Sequence, residues 1–246
     1  MNVADAQRRG GVFGATLFAL VGIAILIGLG VWQLERKVWK ENLIATITAR
    51  LDSAPVPLPA PARWRQLTAA ADEYTHVRFS AEFLPGESAL VYTAGSAFRP
   101  DVQGAGYWVL APARLAGGGI VVVDRGFVPA DRKGAVATSP AGVTDIVGVI
   151  RWPDRPGLFT PAADEKNNTW FLRDTPAIAA AKKWNDAAPF YIEQESPVPP
   201  SGLPKPGKLA VALPDNHLQY AITWFGLAAG LAGVYGVWLG GRWRRT

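Results

Sequence analysis

Two long apolar runs lie near the ends of the chain, and the pattern between them is different in kind. Residues 12–32 are an unbroken apolar stretch and residues 218–239 are almost all apolar or small. At a rise of about 1.5 Å per residue, each crosses a hydrocarbon core as a helix. Beyond the first run, WQLERKVWKENLIATITARL places Trp32, Trp39, Leu43, Ile47 and Leu51 on one helical stripe with charges elsewhere, which predicts an amphipathic interfacial extension. Pro55, Pro57, Pro59 and Pro61 then make an extended spacer. From residue 74 the period drops to two: Val77, Phe79, Ala81 and Phe83 alternate with His76, Arg78, Ser80 and Glu82. A turn follows at Leu84, Pro85, Gly86 and Glu87. Further strand-like runs fall at 89–93, 107–111, 120–124, 144–152, 190–193 and 208–213, punctuated by Gly and Pro. One helix is predicted at about 176–184, capped by Asp174 or Thr175 with Pro176 in its first turn.

These elements divide the chain into a tail (1–11), a first transmembrane helix (12–32), an interfacial extension (33–53), a β-rich domain (54–216), a second transmembrane helix (217–239) and a tail (240–246). The fold class expected is an α+β membrane protein, with two transmembrane helices flanking a mainly antiparallel or partly barrel-like β domain that carries one short helix. A cleaved signal peptide is the competing reading of the first run, because Gly28 and Gly30 form a small-x-small pattern. The run is longer than a signal core and continues as helix. Gly22, Ala24 and Gly28, and the GxxxG of Gly226 and Gly230, are candidates for close helix approach.

Charge changes the picture only at the ends. The chain has a net charge of +5, a balance that by itself invites nucleic acid. Yet Arg8, Arg9, Arg242, Arg244 and Arg245 flank the outer ends of the apolar runs, and the rest of the chain is close to neutral. That distribution speaks against a nucleic-acid partner and for membrane lipid. By the positive-inside rule both termini are cytoplasmic and the domain lies on the far side, which in a bacterium is the periplasm. Arg36, Lys37 and Lys40 run against the rule and are partly offset by Glu35 and Glu41. Cysteine is absent, which excludes disulfides, thiolate metal sites and a thiol nucleophile.

Candidate chemistry is sparse. Only two histidines occur. His76 falls on the polar face of a strand and is expected to be solvated, and no GxSxG, phosphate-binding glycine loop or paired carboxylate appears. Hydrolase or nucleotide chemistry is therefore disfavoured. His217 stands at the mouth of the second apolar run, where positions 217, 220, 221, 224 and 228 share a helical face. His217, Tyr220 and Trp224 can form one polar and aromatic surface suited to a flat, apolar ligand; plain interfacial anchoring is the alternative. In IVVVDRGFVPADR, Arg125 is expected to pair with Asp124 or Asp131.

Four stretches carry a family resemblance. NHLQYAITWFGL (216–227) is similar to the C-terminal signature of the SURF1 (Surfeit locus 1) family. WQLxRxxWKxxLI resembles its N-terminal signature through Trp32, Gln33, Leu34, Arg36, Trp39, Lys40, Leu43 and Ile44. Arg125, Gly126, Phe127, Val128 and Pro129 fit its VNRGW/F segment, with Asp124 where the family often has Asn. Gly148, Arg151, Phe159, Pro161, Asn168, Trp170 and Asp174 follow its later pattern, although Ala replaces the Asn expected after Pro161. The resemblance implies a non-enzymatic membrane assembly factor for haem–copper (aa3-type) cytochrome c oxidase in a bacterial inner membrane. It also implies that His217 ligates the iron of haem a, bound transiently for insertion into subunit I, with haem a synthase as a further candidate partner. Beside it stand our own assignments: Tyr220 and Trp224 against the porphyrin, and Arg36 or Lys40 with its propionates. Two other readings remain open: a scaffold for subunit I that binds no haem, and a two-span periplasmic sensor.

Overall fold

The computed structural model describes residues 3–86, 88–96, 98–136, 138–211 and 215–244, with side-chain surroundings from residue 12 onward and not for Ala135. Glu87 of the expected turn, residues 212–213 of the expected last strand, Arg245 and the side chains of Arg8 and Arg9 lie outside the described residues. The chain forms two units, one of residues 1–45 and 213–246, the other of residues 46–212.

The first unit holds helix α1 (Val3–Leu51, whose last residues belong to the second unit) and helix α4 (His217–Trp243). Both are long and apolar enough to cross a membrane. The amphipathic extension continues the first apolar run without a break, since neither Gly nor Pro interrupts residues 31–51.

The second unit contains β1 (Val56–Pro57), α2 (Ala69–Asp72), β2 (His76–Phe83), β3 (Ala89–Gly95), β4 (Gln103–Leu115), β5 (Ile120–Pro129), β6 (Val143–Arg151), β7 (Thr169–Trp170), α3 (Thr175–Lys182) and β8 (Ala187–Ser196). The strands lie in the order β1-β2-β6-β8-β5-β4-β3-β7. An additional antiparallel pairing of β2 with β4, residues 81–83 against 113–115, closes β2, β6, β8, β5 and β4 into a five-stranded barrel. Most ladders are antiparallel; β5 pairs β8 in parallel, as do β1 with β2 and β3 with β7.

Periodicity explains which side each residue faces. Val121 and Val123 join Val77, Phe83, Ile150, Phe190 and Ile192 in one cluster fed by all five barrel strands and by Trp64. Their neighbour Val122 points to the opposite face, with Trp108, Phe127, Ile178, Trp184 and Tyr191. Helix α3 covers that outer layer through Ile178 and Ala179, and Asp174 caps it by accepting from the Ala177 N–H at 3.2 Å. Because both faces of β5 are covered, IVVVDRGFV is buried at every position.

Glycine is required where strands meet most closely. A Cβ on Gly148 would lie 2.4 Å from the Glu193 carbonyl oxygen across β6 and β8. Gly126 has φ +118 and would place a Cβ 2.3 Å from the Lys205 backbone.

Three expectations are corrected. Residues 208–211 are not a strand: Leu209 is buried and Ala210 N–H donates to Phe98 O, so one anchored residue rather than a ladder holds the segment. His76 is not solvated, because β2 and β8 bring its Nε2 to 2.9 Å from Glu195 while Nδ1 lies 2.8 Å from Ser53 O. Arg125 turns to Ser139 and the Thr138 carbonyl, and the partner of Asp124 is Arg173.

Candidate functional site

Helices α1 and α4 run antiparallel along a stripe that repeats every three or four residues. The Thr16 and Tyr235 hydroxyls lie 2.5 Å apart at one end. Ala19, Ala221 and Ala228 are buried on the stripe. A Cβ on Gly22 would meet Leu231 at 3.0 Å, and one on Gly30 would meet the Phe225 ring at 2.6 Å. Small residues therefore let the backbones approach, as packing between apolar helices requires. Gly28, Gly226 and Gly230 take no part, since a Cβ on each would meet open space among the described residues.

The other end of the stripe is polar. His217 opens α4, and its N–H donates to Asp215 at 3.0 Å. Its Nδ1 lies 2.7 Å from Gln33 Oε1. An amide oxygen only accepts, so Nδ1 carries the hydrogen and the Nε2 lone pair is left available. Nε2 makes no hydrogen bond among the described residues. A histidine whose one nitrogen is oriented by an outer partner while the other is presented is the arrangement of a metal-ligating imidazole.

The remaining predicted site residues distribute unevenly around this pair. Trp224 is half-buried one to two turns along α4. Tyr220 is 55% exposed and lies off the packed stripe. Along α1, Arg36 is exposed and covers Trp39, 4.2 Å from the ring centroid, one turn from Gln33. Lys40 is half-buried two turns from Gln33 on the same face. Gln33 is given no site role in the reading from sequence; its signal there is its place in the N-terminal family-like motif WQLxRxxWKxxLI.

The β domain carries a separate buried polar cluster. Glu193 Oε2 is shared by Arg151, at 3.2 Å, and Arg173, at 3.4 Å. Arg151 also reaches Glu73 at 3.3 Å, and Arg173 reaches Asp154 at 3.5 Å and Asp124 at 3.6 Å. Asp124 is fully buried, and that burial, with Glu193 nearby, pushes its carboxyl up to about 7 against the pull of Arg173, the Gly126 N–H and Arg99. Burial raises the Tyr191 hydroxyl as well. Arg99, fully buried, holds the Asp101 carboxyl well below its usual range through a bidentate contact at 2.8 and 2.9 Å. Residues from both stretches that carry the family resemblance in the domain, Asp124 from one and Arg151 and Arg173 from the other, thus meet around Glu193.

Comparison with known proteins bears on both units. The chain is 32% identical to a SURF1-like protein of Monosiga brevicollis over 242 residues, covering 93% of this chain and 88% of the relative. It is 34% identical to a SURF1-like protein of Drosophila melanogaster, over 86% of this chain and 73% of the relative. Surfeit locus protein 1 of Homo sapiens is 32% identical over 82% of this chain and 70% of its own length. Residues 20–229, from within α1 to within α4, match the SURF1 family, and the chain belongs to that family.

Proposed function

We propose that this chain is an assembly factor for cytochrome c oxidase that binds haem a through His217 and assists its insertion into subunit I. The observation that carries the reading is the His217–Gln33 hydrogen bond, which fixes the ring and presents Nε2. The donor set fits the group: haem a supplies an iron that takes an axial imidazole, and propionates that take cations. His217 Nε2 would be that ligand, Trp224 and the exposed Tyr220 ring would pack against the macrocycle, and Arg36 or Lys40 would pair with the propionates. Gln33 holds the ring orientation. A single imidazole, with no second ligand beside it among the described residues, favours release over storage, which suits delivery. We place the chain in a bacterial inner membrane with both termini cytoplasmic and the β domain periplasmic. The apolar α1 and α4 and the terminal arginines support that placement.

A second reading, a scaffold that holds subunit I without touching haem, is favoured by one feature. Phe159, part of the stretch resembling the family, is 95% exposed beside Leu158 at 98%. Complementation separates the two. In cells lacking this protein, His217→Ala should leave subunit I poor in haem a while Phe159→Ala restores it. Full haem content with His217→Ala and loss with Phe159→Ala would support the scaffold.

A further inference from the structure

The β domain contains a cavity of about 310 Å³ lined by Arg151, Arg173, Asp154, Phe98, Trp108 and Phe171 among others. That is the lower end of the range of small-molecule sites, ~300–1,000 Å³. Both arginines are held by the fold. The Arg151 side chain is 7% exposed and its guanidinium lies 4.9 Å from the Tyr74 and Phe98 ring centroids. The Arg173 side chain is 13% exposed and lies 5.6 Å from Trp108 and 5.4 Å from Tyr191. These stacks fix the guanidinium planes before any ligand arrives.

Both guanidiniums keep N–H groups to spare on the wall. A guanidinium has five N–H groups. Arg151 uses Nε and Nη1 on Glu73 and Glu193 at 3.3 and 3.2 Å, and Arg173 uses Nε and Nη1 on Asp154, Glu193 and Asp124 at 3.4–3.6 Å. Those contacts are longer than the ~2.7–2.9 Å of a well-made charge-assisted bond. The Nη2 atoms of both residues make no hydrogen bond among the described residues. On the acceptor side, the one carboxylate lining the cavity is Asp154, whose Oδ2 already accepts from the Arg173 backbone N–H at 3.2 Å and from its Nε. The wall therefore offers spare donors beside aromatic rings.

We propose that this cavity binds a small organic carboxylate with a flat or branched apolar body, the carboxylate bridging Arg151 and Arg173 and the body lying against Phe98, Trp108 and Phe171. The proposal shares no residue with the His217 site and does not depend on the haem reading. Asp154, 37% exposed at the cavity wall, competes with the ligand for Arg173.

The test is isothermal titration calorimetry of the full chain in detergent with 3-phenylpropionate, beside its uncharged amide, which also corrects for partition into the micelle. The carboxylate should give a saturable heat and the amide should bind at least ~10-fold more weakly. Asp154→Asn, which removes a like charge at contact distance, should tighten carboxylate binding roughly 5-fold or more, and Phe171→Ala should weaken it. No saturable heat in either wild type or Asp154→Asn, equal binding of the amide, or weaker binding by Asp154→Asn would each overturn the proposal.

Discussion

Replacing Asp124 by Asn should stabilise the β domain above neutrality and progressively less as the pH falls toward 4. Asp124 is a fully buried carboxylate whose burial and neighbour Glu193 move its pKa from 3.8 to about 7. Between those values the folded chain holds a proton that the unfolded chain releases, so stability falls as pH rises from about 4 through about 7. A displacement of roughly three pH units at about 1.4 kcal/mol each sets an upper bound near 4 kcal/mol. Asparagine keeps the oxygen that accepts from the Gly126 N–H at 3.0 Å. It gives up the 3.6 Å contact with Arg173, which retains Glu193 and Asp154. The net gain expected at pH 8 is therefore about 1–3 kcal/mol, which for a unit spanning residues 46–212 raises the melting temperature by roughly 3–10 °C. Near-UV circular dichroism melts of wild type and variant at pH 5 and pH 8 measure it, other titrating groups cancelling in the difference. A variant that melts below wild type at pH 8, or a difference equal at the two pH values, would show that burial does not hold the Asp124 carboxyl protonated.

Other consequences follow from packing. Gly148→Ala should cost about 1–3 kcal/mol or more, because its methyl carbon would lie 2.4 Å from the Glu193 carbonyl oxygen; chemical denaturation reads the loss. Phe190→Ala, deleting a fully buried ring at the centre of the barrel, should cost about 3–5 kcal/mol in the same assay. A double-mutant cycle of Thr16→Val and Tyr235→Phe should return a coupling of about 0.5–2 kcal/mol from their hydroxyl contact. A coupling of zero would mean that the pair contributes nothing to helix association.

What the sequence discloses follows the range of the interaction. The alternation of residues 76–83 reads directly, since each side chain reports its own face, and Val77, Ala81 and Phe83 are indeed the buried set. The capped start of α3 reads equally well because Asp174, Pro176 and the helix are neighbours. Closure of the barrel does not, as it depends on residues 81–83 meeting residues 113–115. The partners of His76 and Asp124 are hidden for the same reason: Glu195 and Arg173 reach them only through the sheet. In the helical pair, His217 is conspicuous as a lone imidazole at the edge of an apolar run, whereas Gln33 is one polar residue among several. Its importance lies in the register that sets it 2.7 Å from His217. Tyr220 shows the converse: three residues from His217 it belongs to the same broad face, yet the stripe that packs passes through Ala221.

The most direct measurement is the pyridine haemochrome spectrum of the protein purified in detergent from cells that make haem a, with His217→Ala and Gln33→Leu prepared in parallel. Wild type should carry haem a, His217→Ala none, and Gln33→Leu a reduced content or a shifted band. Haem a retained by His217→Ala, or absent from wild type, would contradict haem binding through His217.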